Sequence, residues 1–401
     1  MLACVIIFAV LCACVSASSA EQIGTFENIA VPVGHISQDP FLHVAQDGRL
    51  VMSWTEVTAS GSAVMISDFE DGTWTEPRTV TQSTDLFVNW ADFPSVSSFS
   101  DGTLITHWLQ TTGPSYFDYN VQIALSRDAG ASWSAPIVPH LDGTQAQHGF
   151  VTLVPLAQHM VAVWLDGRAY DGDLVEEDAI AGQMQFRSAV LSSDGTSTPD
   201  IALDVSTCSC CQTDAAVAED SLLVVYRDRT EAEIRDIALV RLSDGEWSAP
   251  MRVHEDNWEI PGCPVNGPSI SAKDRNVVVA WFTAAGGIPA VKVARSDDSG
   301  ASFRNVVRID RGDPVGRVDT LMLEDGTAVV SWVEWNGQEE VLLICRMMTD
   351  GCESVLELAS NSEGSSINFP KLAATPEALF IAWTQPLAGG GDTIRMLRAR
   401  R

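Results

Sequence analysis

The stretch Ser126-Arg127-Asp128-Ala129-Gly130-Ala131-Ser132-Trp133 has the residue types of a tight turn between two β-strands. Asp128 can accept backbone N–H bonds within the turn, and Gly130 can adopt the positive φ that a tight reversal needs. Trp133 can pack its apolar ring beneath the loop. An alternating apolar run precedes the turn and a second extended run follows it. The stretch is therefore predicted to be the tip of a β-hairpin.

The turn is repeated along the chain, which indicates a repeat architecture. A second full copy is Ser296-Asp297-Asp298-Ser299-Gly300-Ala301-Ser302-Phe303, and weaker copies span Ser67–Trp74 and Ser243–Trp247. A more regular signal is an apolar strand that ends in an aromatic residue. Its seven copies end at Trp54, Trp108, Trp164, Tyr226, Trp281, Trp332 and Trp383, at spacings of 54, 56, 62, 55, 51 and 51 residues.

Each aromatic-ended strand has a short strand before it, a third strand after it, and then the turn and a fourth strand. Four antiparallel strands repeated radially describe the blades of a β-propeller. The repeat count predicts an all-β propeller of seven blades, with six as the alternative. The last repeat lacks a fourth strand of its own, and residues 29–33 are predicted to supply it and to close the ring. Residues 21–401 are thus predicted to be one domain.

The net charge is −29, with a pI near 4.4. So acidic a surface repels phosphate backbones and anionic lipids, which argues against nucleic-acid binding. The acidic residues are spread along the chain and form no tail.

Residues 1–20 are typical of a signal peptide, because the apolar run Leu2–Val15 is followed by the small residues Ser18-Ser19-Ala20. Leu11-Cys12-Ala13-Cys14 also matches a lipobox, with Cys14 as the lipidated residue. We therefore expect an extracytoplasmic protein, secreted or periplasmic, with lipid anchoring as the alternative. No later segment is long and apolar enough for a membrane helix.

The repeated turn resembles the Asp-box (BNR repeat) of the sialidase superfamily, and the aromatic-ended strands resemble those of its exo-sialidase-like members. The resemblance implies structural roles for Ser126, Asp128, Gly130, Trp133, Ser296, Asp298, Gly300 and Phe303, on the face away from the active site. It also implies exo-acting glycoside hydrolysis, for which the family uses an arginine triad, a tyrosine with a glutamate, and an aspartate. The stretch matching the first triad arginine, residues 39–44, contains no arginine.

The face opposite the Asp-boxes receives the longest loops, and we expect the functional site there. Arginines and aspartates cluster in two of these loops. The predicted ligand-binding residues are Arg168, Tyr226, Arg227, Arg229, Arg235, Trp258 and Asn266. The carboxylates of Asp166, Asp228 and Asp236 are candidate acid–base groups. The alternative role of these charges is Arg–Asp pairing that fixes the loops.

Six cysteines follow the leader, and in an exported chain disulfides are the default. Cys345 and Cys352 flank a hairpin turn and are predicted to pair across it. Cys208, Cys210, Cys211 and Cys263 are predicted to form disulfides among themselves. The alternative is a thiolate site for copper or zinc, to which His148 or His254 could add a nitrogen ligand.

The sequence therefore favours an exported propeller that binds a glycan or another small acidic ligand, with no cofactor. Two alternatives stay open, a sialidase-like glycoside hydrolase and a soft-metal-binding propeller.

Overall fold

The seven aromatic-ended segments are the second strands of seven separate antiparallel sheets, as predicted. The computed structural model describes residues 23–170, 183–348, 350–361 and 366–401. The predicted signal peptide, the predicted lipobox and part of the loop after Asp166 lie outside these residues. Within the described ranges the single helical segment is a 3₁₀ turn at Ala285–Gly287. None of the described helices is long and apolar enough to cross a membrane.

The strands of the first four blades follow the chain. Blade 1 contains Ser37–Val44 (β2), Leu50–Thr58 (β3), Gly61–Glu70 (β4), Thr73–Trp74 (β5) and Arg78–Ser83 (β6). Blade 2 contains Ser95–Ser98 (β7), Leu104–Thr111 (β8) and Tyr119–Ser126 (β9). Blade 3 contains His148–Leu156 (β10), His159–Asp166 (β11), Met184–Ser192 (β12) and Ile201–Thr207 (β13). Blade 4 contains Asp214–Ala218 (β14), Ser221–Arg227 (β15), Ile237–Ser243 (β16), Glu246–Trp247 (β17) and Met251–Arg252 (β18).

The last three blades complete the ring. Blade 5 contains Ser269–Lys273 (β19), Asn276–Thr283 (β20), Ala290–Ser296 (β21) and Arg304–Arg308 (β22). Blade 6 contains Pro314–Met322 (β23), Ala328–Trp335 (β24), Glu340–Met348 (β25) and Gly351–Asn361 (β26). Blade 7 contains Asn368–Ala374 (β27), Ala378–Pro386 (β28) and Asp392–Arg400 (β29), and its outer strand is Phe26–Asn28 (β1).

The ring is closed by an N-terminal strand, but not by the residues predicted for it. Strand β1 pairs antiparallel with β29, Phe26 opposite Ala399, whereas the prediction placed the pairing at residues 29–33. Ile29, Val31 and Val33 instead pack their side chains against the core between blades 7 and 1. Of these residues, Ile29 still donates its N–H to the Met396 carbonyl of β29 at 3.1 Å, and the alternating apolar pattern of residues 29–33 reflects side-chain packing.

Blade 2 has the least regular outer strand. The predicted fourth strand over residues 137–139 is reduced to a bridge, in which Ile137 exchanges both backbone hydrogen bonds with Ile123. Pro139 occupies the next position whose N–H would face β9 and has none to donate, so the pairing cannot extend beyond it.

The aromatic residue that ends each second strand packs against the preceding blade. Trp164, for example, is fully buried among Ile105 and Ile123 of blade 2, and Trp54 packs on Phe380 of blade 7. These contacts explain the sequence repeat, because each interface between blades needs one large apolar side chain at the same height. Four of the indoles also donate a hydrogen bond to the side chain two residues on, at Glu56, Asp166, Glu334 and Gln385.

The turn Ser126–Trp133 joins the third strand of blade 2 to its short fourth strand. Asp128 accepts hydrogen bonds from the backbone and hydroxyl of Ser132, and Ser126 Oγ accepts the Gly130 N–H at 2.7 Å. Gly130 has φ +83°, and a Cβ there would lie 2.4 Å from Cδ1 of Ile66 in blade 1. The turn thus fastens blade 2 to blade 1, and it lies on the face opposite the long loops.

Candidate functional site

Exposed apolar side chains are concentrated on the face that carries the long loops. Among the described residues, those at or beside loops of this face are Val57, Trp90, Tyr116, Leu141, Ile288 and Trp335. They belong to loops of several different blades, and scattered exposed apolar residues do not by themselves define a binding surface. The aromatic members are the most informative, because a flat exposed ring offers a large contact area at a small entropic cost.

Trp90 lies where several blades meet. Its loop leads into blade 2, yet its ring stacks on Phe369 of blade 7, with centroids 5.8 Å apart and an interplanar angle of 23°. The guanidinium of Arg317, from blade 6, lies 5.4 Å from the centre of the Trp90 ring. Trp90 is nevertheless 41% exposed. The side chain is therefore held by contacts from two other blades while part of it stays open to solvent.

Arg317 is the cation beside this ring. It is largely buried, it donates to the carbonyl of Ile367, and its nearest carboxylate oxygen, Oε2 of Glu340, lies 3.8 Å away. Burial lowers the pKa of Arg317, and Glu340 offsets this only in part. An anionic ligand group beside Arg317 would therefore be favourable, because it would compensate a buried charge.

The inner strands are irregular at the end nearest this face. Register shifts interrupt the pairing of β2, β10, β23 and β27 near their starts. Asp39, Phe150 and Arg317 have positive φ values of 61°, 54° and 52° at three of these positions. Bulges of this kind redirect side chains and are frequent next to functional sites.

A small cavity lies among the inner strands. It has a volume of about 50 Å³ and is lined in part by Phe41, Asp92, Phe93 and Lys371. Pockets that enclose small-molecule ligands are usually about 300–1,000 Å³. This cavity is therefore too small to enclose a ligand of that size.

The predicted ligand-binding arginines donate hydrogen bonds to groups of the protein itself. Arg227 is buried and donates to the carbonyl oxygens of Asn266, Arg235 and Phe282 at 2.7–3.0 Å. Its guanidinium also covers the buried ring of Trp258 at 4.9 Å. Arg227 therefore ties blade 4 to blade 5.

Arg229 and Arg235 both pair with Glu233, at 2.6 and 2.8 Å. Arg168 contacts three carboxylates, those of Asp142, Asp166 and Asp200, at 2.8, 2.7 and 3.2 Å. These contacts match the alternative role stated for the arginines, in which the charges fix the loops. Ligand binding by these residues stays a prediction.

The three candidate acid–base carboxylates lie in different surroundings. Asp166 is buried and accepts bonds from Trp164 and Arg168; burial alone would raise its pKa, but these partners and His148 lower it. Burial, aided by Asp204, raises the pKa of Asp228 to about 6. Asp236 accepts the backbone N–H groups of Asn257 and Trp258.

Two further predicted residues form hydrogen bonds with neighbouring residues of the protein. Tyr226 donates its hydroxyl to Asp204 at 2.6 Å, and burial and that carboxylate raise the pKa of the tyrosine. The Asn266 side chain accepts the Arg317 N–H at 2.8 Å and donates to the Val315 carbonyl. Asn266 thus helps to position Arg317 beside Trp90.

The cysteines include two disulfides among the described residues. Cys345–Cys352 is confirmed, and Cys210–Cys263 is one of the pairs predicted within the other group. Cys208 and Cys211 remain as buried thiols whose sulfurs lie 2.6 Å apart. Burial opposes ionisation of Cys208, but Cys211 and Arg235 outweigh it and lower the pKa of that thiol. Burial, with Cys208 beside it, raises the pKa of Cys211.

Trp90 and Arg317 were not among the predicted site residues, although both were visible in the sequence. Trp90 lies in one of the long loops that the sequence assigned to this face. Arg317 lies in the first strand of blade 6, where nothing in the spacing sets it apart from a structural arginine. Only the closed ring brings the two together.

Similar solved structures agree with the fold. The polysaccharide lyase Uly1 matches with 8% identity and a TM-score of 0.52, over 96% of this chain and 93% of its own. The Penicillium chrysogenum alpha-L-arabinanase complexed with arabinobiose matches with 11% identity and a TM-score of 0.50, over 94% of this chain and 97% of its own. The Hadza microbial sialidase Hz136 matches with 16% identity and a TM-score of 0.47, over 74% of this chain and 63% of its own.

No family model and no curated protein matches the sequence. The structural likenesses show the β-propeller fold, and they do not place the chain in the sialidase superfamily.

Proposed function

We propose that this protein is an exported carbohydrate-binding propeller whose ligand lies on the long-loop face. In this proposal the exposed part of Trp90 stacks on a sugar ring, and Arg317 holds an acidic group of the same ligand. The observation that carries the proposal is the Trp90–Phe369–Arg317 arrangement, which presents an aromatic ring and an incompletely compensated cation side by side.

The arrangement forms a binding surface that is already ordered before a ligand arrives. Contacts from blades 6 and 7 restrict Trp90 before any ligand arrives, so little side-chain entropy is lost on binding. The chain as a whole is strongly acidic, which favours a ligand whose negative charge is confined to the group near Arg317. The carbohydrate-active names of two similar propellers are consistent with a saccharide ligand.

Export is part of the proposal. Two disulfides are typical of an oxidising compartment, and the first twenty residues have the pattern of a signal peptide. Mass spectrometry of the mature N-terminus checks it. Cleavage before Glu21 supports secretion, a diacylated Cys14 supports the anchored form, and an intact Met1 in the membrane-free cytosolic fraction contradicts export.

The test of ligand binding is a titration of neutral and uronic-acid-containing oligosaccharides against wild type and variants. We expect Trp90→Ala to weaken binding about tenfold, which corresponds to about 1.4 kcal/mol. Trp335→Ala is the matched control, because Trp335 is 42% exposed at the end of β24 on the same face. Arg317→Met should weaken the acidic ligands selectively. Equal affinities for wild type and Trp90→Ala would sink the proposal.

The same titrations distinguish binding from the hydrolase alternative. Samples held for a day at high protein concentration are analysed for released sugars. Intact oligosaccharide supports a binding protein. Release of terminal sugars by wild type would support glycoside hydrolysis.

A further inference from the structure

The four cysteines of the long-loop face divide into an exposed pair and a buried pair. Cys263 is exposed and Cys210 half-buried, and these two form a disulfide. Cys208 and Cys211 lie beneath them as thiols, each 1% exposed. Cys208 Sγ lies 2.6 Å from Cys211 Sγ and 3.8 Å from Cys210 Sγ. One buried sulfur therefore contacts both its thiol neighbour and the disulfide.

We propose that these cysteines are a thiol–disulfide exchange site, in which the disulfide moves between the exposed pair Cys210–Cys263 and the buried pair Cys208–Cys211. The central sulfur of the exchange is Cys208, because it is the one that contacts members of both pairs.

The exchange balances without an outside oxidant. The Cys208 thiolate attacks Cys210 Sγ, so that the 208–210 bond forms, the 210–263 bond breaks and Cys263 leaves as a thiolate. The Cys211 thiolate then attacks Cys208 Sγ and expels the Cys210 thiolate. The proton that Cys211 loses ends on Cys210 or Cys263. One disulfide and two thiols are present before and after.

The neighbouring charge favours this chemistry. Arg235 Nη1 lies 3.7 Å from Cys208 Sγ, and Glu233 holds the same guanidinium from its other side. A fixed cation stabilises the thiolate, which is the attacking species. The guanidinium also opposes binding of a metal cation at this sulfur.

The distances between the sulfur atoms favour thiol–disulfide exchange over a metal site. Ligands about 2.3 Å from a tetrahedral zinc ion are about 3.7 Å from one another. The Cys208 and Cys211 sulfurs, 2.6 Å apart, are too close to be two ligands of one such ion. Two of the four sulfurs are moreover joined to each other, so they are not thiolate ligands.

The exchange predicts that Cys263 becomes a free thiol at the surface part of the time. Native protein is incubated with a maleimide, digested without reduction, and mapped by mass spectrometry. We expect wild type to be labelled at Cys263 and to contain the 208–211 disulfide in the labelled fraction. Cys208→Ser should lower the rate of Cys263 labelling at least tenfold, because the attacking sulfur is gone.

Two further variants test separate parts of the proposed exchange. Cys211→Ser should leave Cys263 labelling intact but yield the 208–210 disulfide. Arg235→Gln leaves every sulfur in place, and it should slow the labelling and shift its pH dependence upward. Cys345–Cys352 serves as an internal control that stays oxidised throughout.

The proposal fails if Cys208→Ser is labelled as fast as wild type, or if wild type is never labelled at Cys263. Copper or zinc bound stoichiometrically to protein purified without added metal would also overturn it. Thermal unfolding of each variant establishes that it is folded, and Arg235→Gln decides the outcome if Cys208→Ser does not fold.

Discussion

At the scale of single residues, the environment of an arginine decides whether its guanidinium can bind a ligand. Arg227 and Arg317 are both largely buried on the same face, but Arg227 gives its donors to three carbonyl groups. Arg317 donates to one carbonyl, that of Ile367, and its other neighbours are two aromatic rings and one carboxylate at 3.8 Å. Arg227 was predicted as a ligand residue and Arg317 was not, because carbonyl acceptors 39 and 55 residues away are invisible in a spacing pattern.

Arg227→Lys is expected to lower the free energy of unfolding by about 2–4 kcal/mol. A lysine ammonium has its donors on one atom and cannot reach carbonyls on both sides of the interface between blades 4 and 5. Arg311→Lys is the control, because the Arg311 side chain is 45% exposed and pairs with the exposed Glu357 at 3.7 Å; it should change stability by less than about 1 kcal/mol. Urea unfolding measures both, and equal midpoints would contradict the role given to Arg227.

Asp39 makes the stability depend on pH. It is buried, its Oδ1 has no hydrogen-bond partner, and burial raises its pKa to about 7. The unfolded chain loses this proton near pH 4, whereas the folded protein keeps it until about pH 7. The stabilising contribution is therefore full below about pH 4 and is lost as the pH rises towards and through 7.

Asp39→Asn should remove that loss, because the amide resembles the protonated acid at every pH. We expect the variant to gain stability over wild type between pH 5 and 8, by on the order of 1–3 kcal/mol at pH 8. Asp71→Asn, at an exposed position, is the control. Thermal melts at several pH values measure the effect, and parallel profiles for wild type and Asp39→Asn would show that Asp39 stays ionised.

At the scale of elements, the turns Ser126–Trp133 and Ser296–Phe303 are built alike. In each, the first serine accepts the glycine N–H four residues on, at 2.7 and 2.9 Å, and donates to the aspartate. Each glycine also lies against a side chain of the preceding blade, Ile66 or Leu223. The turns are therefore expected to stabilise the ring without touching the long-loop face.

Ser126→Ala and Ser296→Ala should each cost about 1–2 kcal/mol, because a buried N–H loses its acceptor. The two effects should add, since the turns belong to different blades. Ligand affinity should stay unchanged in both variants. A loss of affinity that exceeds the loss of stability would contradict the separation of the two faces.

The strands were predictable because each depends on a local alternation of apolar and polar residues. Each interface between blades also needs one aromatic residue. The second strand predicted for residues 277–281, for example, is the centre of β20, Asn276–Thr283. The ring-closing N-terminal strand was predicted a few residues too late in the chain, because the apolar alternation at residues 29–33 reflects core packing. The site was less predictable, since Trp90, Phe369 and Arg317 come from three distant repeats.

At the scale of the whole molecule, the ring depends on the pairing of β1 with β29. A chain that starts at Ala30 should unfold at a lower temperature than one that starts at Ile23, and it should aggregate with rising concentration, because β29 becomes an open edge. A peptide of residues 23–33 added in excess should restore the midpoint. Identical midpoints for the two chains would show that the ring does not need β1.

The same pairing sets an order for biosynthesis. Blades 1 and 3–6 are each built from one continuous stretch and can form as that stretch becomes available, but blade 7 needs Phe26–Asn28 and Asp392–Arg400 together. Strand β1 must therefore remain unpaired until β29 has been synthesised. A stop codon ahead of β29 would remove that strand, leaving β1 without a partner and β28 unpaired along one edge. Loss of β29 should thus be as damaging as loss of a strand within any other blade.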